Sequence, residues 1–240
     1  MRQRLDRLLV ERGLAESREK AQAMIMAGEV LVAGQKASKP GHSIDAASPI
    51  EISGKPPYVS RGGGKLAAAL DGFDIDIAGS ICLDIGSSTG GFTDCLLQRG
   101  AARVHAVDVG SGQLDWKLRN DARVVLHEGI NARHLQYQDI GEPVSLITCD
   151  VSFISVTLIL PAVVPLLRSD GRMVILVKPQ FEVGKGHVGK GGIVRDPELH
   201  HQACARVDTA VKNLGFETSI MESPILGAEG NKEFLLYARH

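Results

Sequence analysis

Beyond residue 58, short apolar runs typical of buried strands alternate with stretches of helical periodicity, and this alternation constrains the fold more than any other feature. The sequence predicts strands at 81–85, 104–108, 124–126, 144–150, 172–178, 217–220 and 234–238. Helices fit between most of these strands, for example at 91–99, 158–167 and 197–214. Such alternation predicts an α/β fold in which helices cover both faces of a parallel sheet.

The first sixty residues predict a different and smaller unit of mixed α and β structure. A short amphipathic helix ends at Gly13, and Ser17 can cap a second helix that ends at Gly28. Short strands are expected at 30–32 and 50–52. A unit of this size is marginal on its own, so we expect it to depend on its neighbour for stability.

A stiff stretch at Pro56, Pro57 and Tyr58 predicts the domain boundary, with domains at 1–58 and 59–240. The net charge of −1 is spread unevenly, because residues 1–65 hold eleven Lys and Arg against seven Asp and Glu. The N-terminal part is therefore basic and the remainder acidic. This asymmetry favours a nucleic-acid partner, although chance variation on a solvated surface explains it equally well.

Composition disfavours metal and membrane functions. The four cysteines show no metal-ligand spacing, so we expect free thiols and no metal site. The most apolar stretch, 156–167, contains two prolines and is shorter than the ~20 residues that a membrane span needs. The N-terminus lacks the apolar segment of a signal peptide. We therefore expect a cytoplasmic protein without a membrane contact.

A glycine-rich turn follows the first predicted strand of the larger domain, at the sheet edge where ligands bind in such folds. The candidate cofactor residues are Asp84, Gly86, Ser87, Gly90 and Gly91 in the turn, and Asp108 at the end of the second strand. A carboxylate at the end of the second strand can accept hydrogen bonds from both hydroxyls of a ribose.

Three interpretations compete for this turn. A dinucleotide fingerprint requires a glycine where Ser88 stands. A hydrolase elbow fits 86–90 with Ser88 as the nucleophile, but it requires a later Asp and His. S-adenosylmethionine carries no phosphate, and an acidic turn suits its cationic sulfonium. We favour S-adenosylmethionine as the cofactor.

Residues 184–191 nearly match a phosphate-binding P-loop, but Gly191 stands where the magnesium-binding hydroxyl is required. This segment is either a basic flap that touches substrate phosphates or a glycine loop without a role.

Four charged residues that are far apart in sequence are expected to meet near the turn. Asp150 and Lys178 each end an apolar strand. Lys65 begins a helix before the first strand, and Glu233 precedes the last strand. A ribose 2′-hydroxyl must lose its proton to attack a methyl group, and a lysine accepts a proton only in its neutral form. Partial burial and a neighbouring ammonium favour that form, so the pattern predicts ribose methylation, with two surface ion pairs as the alternative.

The N-terminal motifs at 4–10, 17–21 and 25–32 resemble the S4 domain, a small RNA-binding module. The resemblance covers roughly residues 1–55. Together with the charge pattern, it implies RNA contacts at Arg2, Arg4, Arg7, Arg18 and Lys20. Such cations contact phosphates and do not read bases.

Motifs at 60–66, 84–94, 149–155, 177–182 and 192–196 resemble those of the TlyA family, which joins an S4 domain to an FtsJ-like methyltransferase domain. The resemblance implies a Rossmann-like class I methyltransferase sheet and a small α+β S4 domain. It implies a catalytic tetrad at Lys65, Asp150, Lys178 and Glu233. It also implies S-adenosylmethionine at the glycine turn and at Asp108, with Asn131 near the adenine, although Asn131 could simply make a turn.

We therefore expect a ribose 2′-O-methyltransferase that acts on RNA, with ribosomal RNA or a ribosomal subunit as its partner. Members of this family are often labelled haemolysins, so a cytolysin is one alternative, and an RNA-binding factor with a relict cofactor fold is another. No strongly amphipathic cationic segment in the sequence supports direct lysis. Binding of S-adenosylmethionine would favour the enzyme over the relict.

Overall fold

The chain divides into two units, residues 1–57 and 58–240. The structure, a computed structural model, describes residues 2–37, 39–52, 57–227 and 230–240. Pro56, one of the predicted boundary residues, lies outside the described residues.

The smaller unit consists of two helices and two small antiparallel sheets. Its elements are β1 (Arg2–Arg4), α1 (Leu5–Glu11), α2 (Arg18–Met26), β2 (Val30–Val32), β3 (Gln35–Lys36), β4 (Ser43–Asp45) and β5 (Ile50–Ile52). Strand β1 pairs with β4, while β2 lies between β3 and β5. The side chain of Ser17 caps α2 by accepting a hydrogen bond from the Lys20 amide. Leu5 and Leu9 from α1 pack with Ile25 from α2 in the core of this unit.

The larger unit is built on a seven-stranded sheet. Its helices are α3 (Arg61–Gly72), α4 (Gly91–Gln98), α5 (Trp116–Arg119), α6 (Tyr137–Ile140), α7 (Leu160–Val163), α8 (Pro179–Glu182) and α9 (Pro197–Lys212). Its strands are β6 (Ile81–Ile85), β7 (Arg103–Asp108), β8 (Val124–Glu128), β9 (Val144–Cys149), β10 (Leu167–Val177), β11 (Glu217–Glu222) and β12 (Phe234–Arg239). The strand order is β11-β12-β10-β9-β6-β7-β8.

The predicted α/β class is confirmed, with one strand reversed. Strands β8, β7, β6, β9 and β10 pair in parallel, whereas β12 is antiparallel to both β10 and β11. The eleven residues 223–233 connect β11 to β12, which is just below the dozen or more residues that a parallel crossover needs.

Alternate residues of the central strands pack into two apolar layers, one on each face of the sheet, because successive side chains of a strand point to opposite faces. Ile175 of β10 packs with helices α7 and α9 on one face. Leu176, the next residue, packs with α3 and α4 on the other face. Both faces of the sheet are therefore buried, as expected for parallel strands.

The helix expected at 158–167 is the main local difference. Two prolines, Pro161 and Pro165, divide this segment into short 3-10 turns at Val156–Leu158 and Val164–Leu166 around the four-residue helix α7. A proline cannot donate the amide hydrogen bond that a continuous helix requires. Within the described residues, no helix has the length and apolarity to cross a membrane.

Candidate active site and cofactor cavities

The carboxyl ends of the parallel strands form one edge of the large sheet, and the predicted charged residues gather there. Asp150 directly follows β9, and Lys178 directly follows β10. Phe234 pairs with Val177 in the antiparallel β10–β12 ladder, so β12 begins where β10 ends. Glu233 therefore reaches the same edge, although it precedes its strand.

The four charged side chains form two ion pairs. Lys178 Nζ lies 2.5 Å from Asp150 Oδ1 and donates a hydrogen bond to Ser152 Oγ at 2.9 Å. Lys65 Nζ lies 2.5 Å from Glu233 Oε2. Only 11% of the Lys178 side chain, 10% of Lys65 and 2% of Glu233 are exposed. The Lys65–Glu233 pair is buried and the Lys178–Asp150 pair is half-buried, so both differ from the surface pairs of the alternative interpretation, because each ammonium is largely withdrawn from water.

Both lysines line one cavity of about 270 Å³, here called the lysine cavity. Asp150, Ser152 and the turn residues Gly86, Ser87 and Gly91 line it as well. Glu233 lies behind Lys65 and does not line it. The arrangement places two ammonium groups and one carboxylate around a space large enough for a reacting hydroxyl.

Two helices begin at the lysine cavity, and their N-termini favour a bound anion. Ser60, Arg61 and Gly62 at the start of α3 line it, as does Gly91 at the start of α4. The Ser60 side chain makes no capping hydrogen bond. Free amides at a helix N-terminus carry partial positive charge and bind carboxylates or phosphates.

Ser87 supplies a second sign of a ligand in the lysine cavity. The residue is 5% exposed, and its hydroxyl oxygen has no hydrogen-bond partner in the described structure. A buried hydroxyl without a partner is unfavourable by about 1–3 kcal/mol, so a polar ligand that bonds to it is stabilising. This orphaned group and the two helix N-termini fit the carboxylate of an amino acid.

A neighbouring cavity of about 430 Å³, here called the Asp108 cavity, shares Gly86, Ser88, Asp150 and Ser152 with the lysine cavity. The Asp108 carboxylate accepts hydrogen bonds from the amides of Ser88 at 2.8 Å and Gly110 at 2.7 Å. Each carboxylate oxygen keeps further acceptor capacity. Apolar walls beside one fixed carboxylate suit a nucleoside, whose base is flat and whose ribose donates two hydroxyls.

Asn131 also lines the Asp108 cavity. Its side chain accepts a hydrogen bond from the Arg133 amide at 3.1 Å and caps a short 3-10 turn at Ala132–His134. The position of Asn131 is therefore compatible with both roles that the sequence suggested, which are a contact beside the cavity and the formation of a turn.

The structure does not bring Asp84 and Gly90 to either cavity. The Asp84 carboxylate is fully buried and accepts hydrogen bonds from the hydroxyls of Thr93 at 2.7 Å and Thr148 at 2.9 Å. Burial raises the pKa of Asp84 to about 6. A Cβ added to Gly90, whose φ is +97°, would lie 2.3 Å from a methyl carbon of Leu118. Both residues shape the turn, and Asp150 is the acid beside the two cavities.

The hydrolase interpretation finds little support in this geometry. Ser88 adopts φ +46°, which suits a strained elbow. Its hydroxyl, however, donates to the side-chain oxygen of Gln113 at 3.2 Å. A serine nucleophile needs a base such as histidine at hydrogen-bonding distance.

Sequence reasoning missed the loop that follows Asp150. Ser152 accepts a hydrogen bond from Lys178, and Phe153 is 92% exposed with φ +66° and lines the Asp108 cavity. The buried carboxylate of Glu182 holds this loop by accepting hydrogen bonds from Ser155 Oγ at 2.6 Å and the Val156 amide at 2.8 Å. An exposed phenylalanine after a strand-end acid was the available signal, but only the fold shows that it borders a cavity.

In the smaller unit, Asp6 binds the side chains of two of the residues that were predicted to contact RNA. Its fully buried carboxylate accepts hydrogen bonds from Arg4 at 2.8 Å and from Arg18 at 3.0 Å. The Arg4 guanidinium holds the pKa of Asp6 far below its usual range. Arg2 donates to the Ser43 carbonyl. Arg7 and Lys20 are exposed, and neither forms an ion pair within the described part of the chain.

The described side chains include no group of three or more His, Cys, Asp or Glu residues that could hold a metal ion.

Residues 58–240 match the family model described as FtsJ-like methyltransferase, and residues 3–47 match that of the S4 domain. The Mycobacterium tuberculosis protein named 16S/23S rRNA (cytidine-2'-O)-methyltransferase TlyA is 47% identical over 241 residues, which are 99% of this chain and 90% of that protein. Hemolysin A of Brachyspira hyodysenteriae is 45% identical over 98% of both chains. A solved structure from Streptococcus thermophilus is 44% identical and superposes with a TM-score of 0.77, covering 99% of this chain and 88% of that one.

Proposed function

Because the chain belongs to the TlyA family, in which an S4 domain precedes an FtsJ-like methyltransferase domain, we propose that it methylates ribose 2′-hydroxyls of ribosomal RNA with S-adenosylmethionine. The observation that carries the proposal is the half-buried Lys178–Asp150 pair in a cavity that shares lining residues with the Asp108 cavity. In this arrangement, a side chain that can accept a proton lies next to a site that fits a ligand with a nucleoside part and an amino-acid part. The protein acts in the cytoplasm, where ribosomal RNA is found.

The two cavities together hold the cofactor. Asp108 accepts the ribose hydroxyls, and Asn131 borders the same cavity. The orphaned Ser87 hydroxyl and the N-termini of α3 and α4, with Arg61 beside them, hold the amino-acid carboxylate. When bound, S-adenosylmethionine supplies an electrophilic methyl group.

Lys178 accepts the proton of the ribose 2′-hydroxyl at Nζ and so leaves the oxygen nucleophilic. Asp150 and Ser152 fix the direction of Nζ through the ion pair and the hydrogen bond described above. Lys65 lines the same cavity as Lys178 and presents a second amine to the reacting hydroxyl. Glu233 positions Lys65 from behind.

The smaller unit docks the enzyme on folded RNA. Its exposed cations contact phosphates, and the sequence-independent attraction that results brings the larger unit to its substrate. Arg7 and Lys20 serve this role directly, whereas Arg4 and Arg18 also hold Asp6.

Two substitutions at one position test the role of Lys178. Lys178→Ala removes the base, and Lys178→Arg keeps a positive charge beside Asp150 but cannot accept a proton, because a guanidinium stays charged. Both variants are expected to bind S-adenosylmethionine with unchanged affinity in calorimetry and to lose methyl transfer by two orders of magnitude or more. Lys212→Ala, on the far end of α9, is the control.

Methyl transfer is measured with ribosomal subunits from cells that lack the protein. Lys178→Arg with undiminished turnover would show that Lys178 supplies only charge, and Lys178→Ala with undiminished turnover would remove it from the reaction altogether. If the unaltered protein binds no S-adenosylmethionine, the chain is an RNA-binding factor with a relict fold.

A further inference from the structure

A third cavity lies outside the site described above. At about 480 Å³ it is similar in size to the Asp108 cavity, and none of its lining residues is shared with either cofactor cavity. It opens between the segment that follows the glycine loop, at Val194 and Arg195, and the start of the last strand, at Lys232 and Phe234. We call it the β12 cavity. Its volume falls within the roughly 300–1,000 Å³ typical of ligand pockets.

The walls of the β12 cavity are fixed by hydrogen bonds. Asn231 is 3% exposed, and its side chain donates to the Gly192 carbonyl at 2.9 Å and accepts from the Val194 amide at 3.0 Å. His200 Nε2 donates to the Val194 carbonyl at 2.9 Å. These bonds join the glycine loop to α9 and to the segment before β12, so the cavity is preformed.

The floor is apolar and the rim is charged. The rings of Phe234 and His200 lie 5.7 Å apart at a tilt of 55° and, with Val194, form the floor. Arg195 is exposed at the rim and has no ion-pair partner within the described part of the chain. Lys232, also at the rim, pairs with Glu222 at 3.0 Å, and both side chains are half exposed. A floor of two aromatic rings with the exposed guanidinium of Arg195 at its rim suits a nucleobase and its phosphate.

The position of the β12 cavity relates it to the reaction. Lys232, Glu233 and Phe234 are consecutive, and successive residues of extended chain point to opposite faces. Glu233 faces Lys65 at the lysine cavity, whereas Lys232 and Phe234 line the β12 cavity. The two cavities therefore lie on either side of one backbone segment at the same edge of the sheet.

We propose that the β12 cavity binds a nucleotide of the RNA strand adjacent to the one that is methylated, with its phosphate at Arg195 and Lys232. The proposal rests on the proposed function, because that function brings an RNA strand to this edge. A strand that presents one ribose to Lys178 places a neighbouring nucleotide next to the segment 232–234. The segment 193–195, which follows the glycine loop, thus serves as a wall of a nucleotide subsite.

The test compares Arg195→Ala and Lys232→Ala with Arg168→Ala, which removes an exposed cation near the start of β10, at the opposite edge of the sheet. RNA affinity is measured by fluorescence polarisation with unmodified ribosomal RNA transcripts at several salt concentrations. Each cavity variant is expected to weaken binding about three- to tenfold and to reduce the slope of log K against log salt by about 0.7. Arg195→Lys retains the charge and is expected to keep the slope.

Activity and cofactor binding separate this subsite from the proposed function. Cavity variants are expected to raise KM for ribosomal subunits and to leave kcat and S-adenosylmethionine affinity unchanged. RNA affinity and salt slope equal to those of Arg168→Ala would overturn the subsite while methyl transfer stands. An unaltered protein that transfers no methyl group would instead overturn the proposed function, while weakened RNA binding by the variants would still support the subsite.

A free small anion is the other possible occupant. Calorimetry with inorganic phosphate and with adenosine monophosphate tests this directly. Micromolar binding of either compound that is lost in Arg195→Ala, together with unchanged RNA affinity in the same variant, would assign the cavity to a free metabolite and overturn the proposal.

Discussion

Among single residues, Asp84 has an unusual position, because its carboxylate is fully buried and accepts hydrogen bonds from two threonine hydroxyls. Its pKa is raised to about 6 by burial, whereas an exposed aspartate titrates near 3.8. A raised pKa in the folded state means that its favourable contribution is complete below pH 3.8 and is lost as the pH rises through 6. Ionised Asp84 therefore destabilises the protein at neutral pH.

Asp84→Asn is expected to remove this pH dependence. The amide has the same shape, and one threonine hydroxyl can rotate to accept its N–H. The free energy of unfolding of the variant, relative to the unaltered protein, should rise by about 2 kcal/mol between pH 4.5 and 7.5. Urea unfolding at three pH values measures the difference in unfolding free energy between the two proteins. The contributions of the other carboxylates are the same in both proteins and cancel in this difference. Parallel curves for the two proteins would contradict a buried, titrating Asp84.

Gly227 limits the position of Glu233. A Cβ at Gly227 would lie 1.9 Å from Glu233 Oε1, so Gly227→Ala must displace the carboxylate that holds Lys65. We expect kcat to fall on the order of a hundredfold, because small displacements of a positioned group cost that much. Cofactor affinity, measured by calorimetry, should not change. Gly186→Ala, where an added Cβ meets no atom within 4 Å, is the control, and equal activity of the two variants would refute the positioning role.

At the scale of single residues, the predictable part of the site is the part that strand ends determine. Asp108, Asp150 and Lys178 each terminate an apolar run, so the sequence alone brings them to one edge. Ser152 and Phe153 escaped prediction, because their roles depend on where a loop runs after its strand ends. The position of Asp84 in the turn suggested that it contacts the cofactor. Its side chain is instead buried against a face of the sheet, and the register of its strand decides that direction.

Among the secondary-structure elements, α1 and α2 carry both a structural network and the cations for RNA. Arg4→Ala removes a partner of the buried Asp6, so it should lower the unfolding midpoint of the smaller unit by several degrees in addition to any effect on RNA. Arg7→Ala and Lys20→Ala should leave the midpoint unchanged. Each should weaken RNA binding and reduce its salt slope by about 0.7–0.9. Calorimetric unfolding and a salt titration distinguish the two classes, and undiminished binding by Arg7→Ala and Lys20→Ala would rule out this surface.

Strand positions were easier to predict than the form of the elements between them. The sequence located all seven strands of the large sheet, and the central ones were the clearest, because strands buried on both faces form continuous apolar runs. The direction of β12 was not visible, since direction depends on the connection and not on the strand itself. The segment 158–167 kept its helical periodicity but contains two prolines, and their missing amides decided its structure.

For the whole molecule, the charge distribution matches a division of labour between the units. The basic unit carries cations on two exposed helices, while every residue that lines the two cofactor cavities lies between Ser60 and Lys178 of the larger unit. The larger unit also has its own apolar layers on both faces of its sheet. Cofactor binding and RNA docking should therefore be separable.

Residues 58–240 alone are expected to bind S-adenosylmethionine with the affinity of the full chain, because no lining residue of either cofactor cavity is removed. RNA affinity should fall by about a hundredfold, since a linked docking module raises the effective concentration of the catalytic unit at its substrate. The truncated chain should retain slow methyl transfer at high concentrations of ribosomal subunits. Circular dichroism establishes that it is folded, and adding residues 1–57 as a separate chain is the control for linkage. Loss of cofactor affinity in a folded truncation would show that the smaller unit contributes to the cofactor site.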